Sequence, residues 1–527
     1  MFHSGPALEQ PFDIATLLDH GLSEKPDDLA LVSALTRWTW RQLDDAVTCL
    51  AGNLLMLGLK PGDRVASLMP NRAALVIHYL ACFRTGLVMT PLNYRYTAPE
   101  IDHALDVSGA SILLSHGERA DDLAASQAVQ RLPLGLIEFD ELGDERHAPL
   151  AGPRFSDLIS SPARDTPASA SLDPSSPAAV FFTSGSTGKP KGVTHGRAGL
   201  GWMFASTAGA FEFQAEDRLL PGSSMSHMGG FAFSLAALAV GARVVIARHF
   251  DAEEILPLMR DQKPTVLCMI PTALMHLIRD SHARKEDFAS LRLCRSGSDK
   301  VPAELEKEFV SLTGFPIDEG YGMTEVGLTA LNPPSGRIKI GSIGTPNPGC
   351  CFCVRDDNGR EVSANQEGRL WMKTPAMMTG YWNNPTATAE VLQEDWLDSG
   401  DLMYADEDGY FWFKGRKKQI IVHDGSNICP QEVEESLMEH PAVDNAGAVG
   451  VHDLVHGENV RAYVALKSGV KPIDAQTLIS FSKARIGYKA PEEIYFLDSI
   501  PLNPTGKVDR VTLKRWAAAD HAHALEP

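Results

Sequence analysis

Val180-Phe181-Phe182-Thr183-Ser184-Gly185-Ser186-Thr187-Gly188-Lys189-Pro190-Lys191-Gly192 passes from an apolar run straight into a polar one. Residues 178–182 are small, β-branched or aromatic, and only hydroxyl residues, glycines, lysines and one proline follow. The pattern reads as a strand running into a flexible loop. Such a loop suits a polyphosphate: glycines let backbone N–H groups approach the anion, Thr183, Ser184, Ser186 and Thr187 can donate from hydroxyls, and Lys189 and Lys191 supply charge. The competing reading is a mobile surface linker, and the strand in front of the loop argues against it. A Walker nucleotide loop needs four residues before its Gly-Lys-Ser/Thr; Gly185 and Gly188 are too close, and Pro190 cannot ligate magnesium.

Working outward, 527 residues exceed one ordinary core and call for two or more domains. With 44% hydrophobic and 22% charged residues, the composition is that of a soluble globular protein. A net charge of −19 argues against nucleic acid or an anionic membrane surface as partner, so an anionic substrate requires a local cationic site. The first residues lack the basic-then-apolar pattern of a signal peptide, and cytoplasm is the expected compartment. The weakly charged run 225–247 contains His227, paired glycines and Arg243, which fits a buried helix and strand better than a membrane span. Cys350, Cys351 and Cys353 include a C-x-x-C spacing with no matching second pair, so they read as buried strand cysteines rather than metal ligands.

Between 12 and 115 helices and strands alternate: a helix begins at Trp40, a strand spans 63–68, a helix 73–85, a strand 87–91 and a helix 98–107. This implies right-handed βαβ units on a mainly parallel sheet. Residues 118–177, rich in Ser, Ala, Pro and Asp, read as an irregular connection. A helix near 199–211 and strands at 243–247, 266–269 and 291–298 follow. Beyond Pro333 recurrent glycines mark a β-rich subdomain. A boundary near 415–419 precedes a helix at 430–438, a strand at 461–466, a helix at 473–486 and a strand at 493–497, enough for a small separate domain. The expected fold is α/β: a large N-terminal domain, 1–417, of layered α/β subdomains plus the β-rich one, and a small mobile α+β domain, 418–527.

Five stretches in one order resemble the adenylate-forming superfamily of acyl-CoA synthetases, peptide-synthetase adenylation domains and luciferases. Residues 183–192 resemble its phosphate loop, Tyr321-Gly322-Met323-Thr324-Glu325 its aromatic-Gly-x-Thr-Glu motif, Ser399-Gly400-Asp401 its ribose-binding Asp, Gly415-Arg416 its second ribose contact, and Pro504-Thr505-Gly506-Lys507 its catalytic-lysine loop. The resemblance implies that Thr183 to Gly188 and Lys189 hold the outer phosphates of ATP, that Thr324 bonds the α-phosphate, and that Glu325 holds Mg2+. It implies that Asp401 and Arg416 hold the ribose. Adenine would lie between Gly320-Tyr321-Gly322-Met323 and Gly297-Ser298-Asp299, the latter a departure from the commoner Gly-Gly-Ala-Pro. Lys507 is then the catalytic cation between the entering carboxylate and the α-phosphate. Lys418 matches the hinge about which the small domain rotates, and Gly425 the turn that leaves room for pantetheine.

Peptide-synthetase domains pair an Asp with their substrate's amino group; Ser224-Met225-Ser226-His227-Met228-Gly229-Gly230-Phe231 has none and resembles the Phe-His-x-x-Gly version of acyl- and aryl-CoA ligases. The implied substrate is an unaminated carboxylic acid, with Met225, His227, Gly229, Gly230, Phe231, Met323, Gly327 and Leu328 walling its pocket. Coenzyme A is the expected thiol, because the chain ends without a carrier domain. The alternatives are transfer to a separate carrier protein, a ligand-binding module without turnover, and luciferase-like oxygenase chemistry. A homodimer is compatible with the sequence.

Overall fold

The computed structural model describes residues 2–140, 152–161, 172–183, 190–280, 282–298, 300–416, 419–423, 426–453, 457–503 and 506–519. Two parallel-type sheets form the large N-terminal domain. One has nine strands, with Asp318–Met323, Leu293–Gly297, Val266–Met269, Arg218–Gly222, Arg243–Ile246 and Leu29–Ser33 side by side and parallel, and antiparallel strands at both ends. The other has seven, in which Pro177–Thr183, Val88–Pro91, Arg64–Leu68, Ile112–His116 and Leu136–Phe139 are parallel. Strand Lys191–Gly196 turns back antiparallel on Pro177–Thr183 and sets Lys191 opposite Thr183. The strands on either side of the loop that opened the sequence reading are thus antiparallel neighbours, and its residues Ser184, Gly185, Ser186, Thr187, Gly188 and Lys189 lie outside the described residues.

One continuous core joins the two sheets. Helices Ala73–Thr85 and Met228–Ala239 lie in it with all but one residue buried in each. Their sequences are apolar all round, as a helix enclosed on every side requires. The amphipathic helix Trp40–Met56 instead covers the outside of this core, and a reciprocal cap holds its start: Gln42 N–H donates to Thr39 Oγ1 and Thr39 N–H to Gln42 Oε1, worth about 1 kcal/mol. No helix of the described residues is long and apolar enough to cross a membrane.

A third, antiparallel sheet carries the β-rich part, with Gly368–Lys373, Trp396–Ala405 and Phe411–Arg416 as neighbours. A five-stranded sheet with helices Pro430–Met438 and Ala475–Ile486 forms the small C-terminal domain and has its own core around Val433, Ala446, Val464 and Leu478. Residues 417 and 418 lie outside the described residues.

Two expectations need correction. The segment 118–177 is not simply irregular: Leu136–Phe139 adds a strand to the seven-stranded sheet, and Phe155–Ser160 is a helix packed on Trp40–Met56. Strand Val443–Asp453, the longest of its sheet, went unforeseen because its small residues show no clean alternation; pairing with Gly457–Leu466 holds it extended.

Candidate active site

The carboxyl ends of Pro177–Thr183, Arg218–Gly222, Val266–Met269, Leu293–Gly297 and Asp318–Met323 open into one cavity of about 1580 Å3, the place where open α/β sheets bind ligands. Thr183, Lys191, Thr324, Glu325, Arg416 and Lys507 all line it. Its described wall carries seven Lys or Arg side chains against five Asp or Glu. In a chain of net charge −19, that is the local cationic site an anionic substrate needs.

Thr324 and Glu325 follow directly on strand Asp318–Met323. His195, fully buried on Lys191–Gly196, is driven down to about 4 by burial and so stays neutral. Its Nε2–H donates to the Thr324 carbonyl at 2.8 Å and fixes the turn. Glu325 is 6% exposed. Burial raises its pKa, opposed by the hydroxyl of Tyr381, which donates at 2.9 Å. Lys191 sits 4.8 Å from the centre of the Tyr381 ring. A buried carboxylate on the wall of a cation-rich cavity offers the hard oxygen donor that a cation such as Mg2+ prefers.

Asp401 and Arg416 are register partners on Trp396–Ala405 and Phe411–Arg416, with Arg416 Nε 3.1 Å from the Asp401 carboxylate. Tyr321 donates its hydroxyl to the other Asp401 oxygen at 2.5 Å. Asp401 is 1% exposed, and burial raises its pKa against the pull of Arg416. Three residues expected at the nucleotide meet here, although Asp401 and Tyr321 stand behind the wall formed by Ser399, Gly400 and Arg416.

Lys507 arrives from the small domain. Its backbone N–H donates to Asn503 Oδ1 and its carbonyl accepts from Asn503 N–H, at 3.1 and 2.7 Å. Gly506 in this turn has φ +84°, a conformation that favours glycine, and a Cβ there would lie 2.8 Å from Ile270 Cδ1, whose side-chain end would have to shift. The charge of Lys507 reaches His227, which burial, Lys507 and Arg95 together hold down to about 4.

Gly322, Met323 and Ser298 also line the cavity, Ser298 in the left-handed conformation at φ +75°. Gly297 and Gly320 do not; a Cβ on either would strike the guanidinium of Arg295, at 2.6 and 2.8 Å. Asp299, Lys418 and Gly425 lie outside the described residues. Of the residues expected to wall the acyl pocket, His227, Gly229, Gly230, Met323, Gly327 and Leu328 line the cavity. Met225 and Phe231 do not: both are buried in the core, Phe231 against Phe181, Phe204 and Tyr79. The helix starts at Met228, so the 3.6-residue period turns Phe231 away from Gly229 and brings Phe233 round to the cavity. Tyr381, His195 and Arg295 escaped the sequence reading. A lone tyrosine, histidine or arginine in a strand-like run carries no signal of its own.

The AMP-binding enzyme family matches residues 18–382, and the AMP-binding enzyme C-terminal domain matches 432–507. A feruloyl-CoA synthase from an Amycolatopsis species is 33% identical over 486 residues, covering 91% of this chain and 94% of its own. The fatty acid–[acyl-carrier-protein] ligase ScoC of Streptomyces coeruleorubidus is 31% identical over 505 residues, covering 92% and 93%. ATP-bound MatB from Rhodopseudomonas palustris superimposes with a TM-score of 0.86 at 27% identity, over 96% of this chain and 99% of that one. Its apo form, at the same identity and coverage, reaches only 0.73. With both domains matched and acid–thiol ligases among relatives above 30% identity, the chain belongs to the AMP-binding, adenylate-forming enzyme family.

Proposed function

We propose that the protein is an ATP-dependent carboxylic acid:coenzyme A ligase that works in the cytoplasm. The observation that carries the reading is the meeting of Lys507, from one domain, with Thr324 and Glu325, from the other, in a single cationic cavity. In the first half-reaction an oxygen of the acid forms a bond to the α-phosphorus of ATP. The bond to the bridging oxygen breaks and its electron pair leaves with pyrophosphate. In the second, a thiolate sulfur attacks the acyl carbon and AMP departs with the electron pair of the broken bond.

Both reactants of the first step are anions, so rate comes from positioning and charge neutralisation. Lys507 holds the entering carboxylate against the α-phosphate. Thr324 donates its hydroxyl to the α-phosphate, and Thr183, Lys191 and the loop 184–189 take the outer phosphates. Asp401 and Arg416 anchor the ribose, and Tyr321, Gly322, Met323 and Ser298 flank the base. Glu325 would hold Mg2+, which when bound supplies charge neutralisation to the phosphate oxygens. The neutral His227 at the mouth of the acyl pocket presents no charge of its own to the incoming acid. The domain boundary falls at 417/418, with Lys418 the hinge and Gly425 part of the surface met by pantetheine. A carrier-protein thiol is the second reading of the acceptor, favoured by the likeness to ScoC.

The test is ATP–pyrophosphate exchange with a panel of acids, followed by thioester formation with coenzyme A and with a phosphopantetheinyl carrier protein. Acid-dependent exchange and a coenzyme A thioester are expected. Nucleotide binding without exchange on any acid refutes the ligase, and a thioester on the carrier alone moves the assignment to the second reading.

A further inference from the structure

Arg295 sits in the middle of strand Leu293–Gly297, between Cys268 and Asp318 on the neighbouring strands. It lines the cavity beside the acyl wall yet is only 7% exposed. A guanidinium has five N–H donors. Arg295 spends one on the Gly320 carbonyl, Nη2 to O at 3.1 Å, and its Nε is buried without a partner among the described residues. One face lies over the Phe233 ring, 5.1 Å from its centre. No ion pair joins Arg295 to any described carboxylate. Asp318 and Glu319 attract it only from beyond contact distance, and Asp318 is bonded to Asn332 N–H and Nδ2.

A buried, half-satisfied cation is costly to keep, and Gly297 and Gly320 both surrender a side chain to make room for this one. If its role were to neutralise Asp318, the two would be in contact. We propose that Arg295 receives a second anionic oxygen group of the acid substrate, a carboxylate, sulfonate or phenolate remote from the carboxylate that is activated. Phe233, Met323 and Leu328 then pack the apolar stretch between the two ends. This rests on the ligase reading and narrows its substrate class.

The test is kcat/KM for ATP–pyrophosphate exchange on matched acids: hexanoate against adipate, cinnamate against 4-hydroxy-, 4-sulfo- and 4-carboxycinnamate, on the wild type and on Arg295→Met and Arg295→Lys. The wild type should favour the member with the second anion by roughly 10- to 100-fold, the worth of a charge-assisted hydrogen bond. Arg295→Met should erase that ratio, and Arg295→Lys should keep part of it; a structural role would lower both members alike. The carboxy, sulfo and hydroxy arms tell which anion is accepted. Equal rates within every pair, or a preference for the uncharged member, overturn the inference even if a variant fails to fold, since both are read on the wild type. Exchange on uncharged acids alone overturns this inference and leaves the ligase standing; exchange on none removes both.

Discussion

Among the described residues, three ion pairs tie the small domain to the large one in the arrangement that brings Lys507 into the cavity. Lys300 Nζ lies 2.8 Å from Glu435, Arg279 Nη1 3.6 Å from Asp444, and Lys467 Nζ 3.4 Å from Glu304. Arg279 is steadied from behind by Glu308, at 2.8 and 3.0 Å. The side chains in these pairs are 26–42% exposed, so solvent screens them, and each contributes about 0.2–1 kcal/mol. Removing all three cations in Arg279→Ala/Lys300→Ala/Lys467→Ala should therefore cost the closed arrangement ~2 kcal/mol, a shift of roughly 30-fold in the domain equilibrium. Rapid-quench measurement of each half-reaction at low salt reads the effect. Adenylate formation should slow by up to ~30-fold while thioester formation from supplied acyl adenylate stays the same or quickens. Raising the salt to about 0.5 M should bring the wild type toward the variant, because screening shortens the reach of all three pairs. Equal slowing of both half-reactions, or no change in either, would refute the reasoning.

Other residues carry predictions of their own. Burial holds the Glu319 carboxyl up to about 8. The folded state therefore binds that proton more tightly than the unfolded chain, and stability present below about pH 4.5 is lost as pH rises through about 8. Glu319→Gln should flatten this dependence and stabilise the protein at pH 8 by at least ~1.4 kcal/mol, checked by urea melts at pH 5.5 and 8.5; an unchanged slope counts against it. Tyr381→Phe removes the donor that offsets burial at Glu325. The acid limb of kcat/KM should move to higher pH, with more activity lost at pH 6 than at pH 8, and a uniform loss would mean that Glu325 does not titrate in that limb. Gly506→Ala should slow adenylation at least ~10-fold, because it strains the turn and drives Lys507 off station, while the melting curve of the large domain stays put. Full activity in that variant would show that the turn does not position the lysine.

Much of this architecture is legible from the residues because local pattern and tertiary role agree. Helices Ala73–Thr85 and Pro430–Met438 and strands Val266–Met269 and Glu493–Leu497 fall where periodicity places them. What escaped was set by distant partners. Leu136–Phe139 is a strand only because Ile112–His116 offers it an edge. Lys191–Gly196 is held by antiparallel pairing along Pro177–Thr183, which sets Lys191 across from Thr183. The site divides the same way. Motif residues such as Thr324, Glu325 and Lys507 reach the cavity, whereas the choice of Phe233 over Phe231 depended on where one helix begins. The trio of Tyr321, Asp401 and Arg416 spans 95 positions: sheet register pairs buried Asp401 with Arg416, and the Tyr321 hydroxyl reaches Asp401 from the neighbouring sheet. Arg295 could not be singled out in advance: its meaning lies in the absence of a counter-ion among the described residues, which only the packed structure reveals.

The most direct measurement is the rate of each half-reaction in Lys507→Ala. An ammonium held about 4 Å from a developing charge in a partly screened site is worth ~4 kcal/mol. Acyl adenylate formation should accordingly drop by roughly three orders of magnitude, with transfer from supplied adenylate to coenzyme A within a few-fold of wild type. Adenylation at the wild-type rate, or an equal fall in both half-reactions, would contradict the role given to the lysine that the two domains bring together.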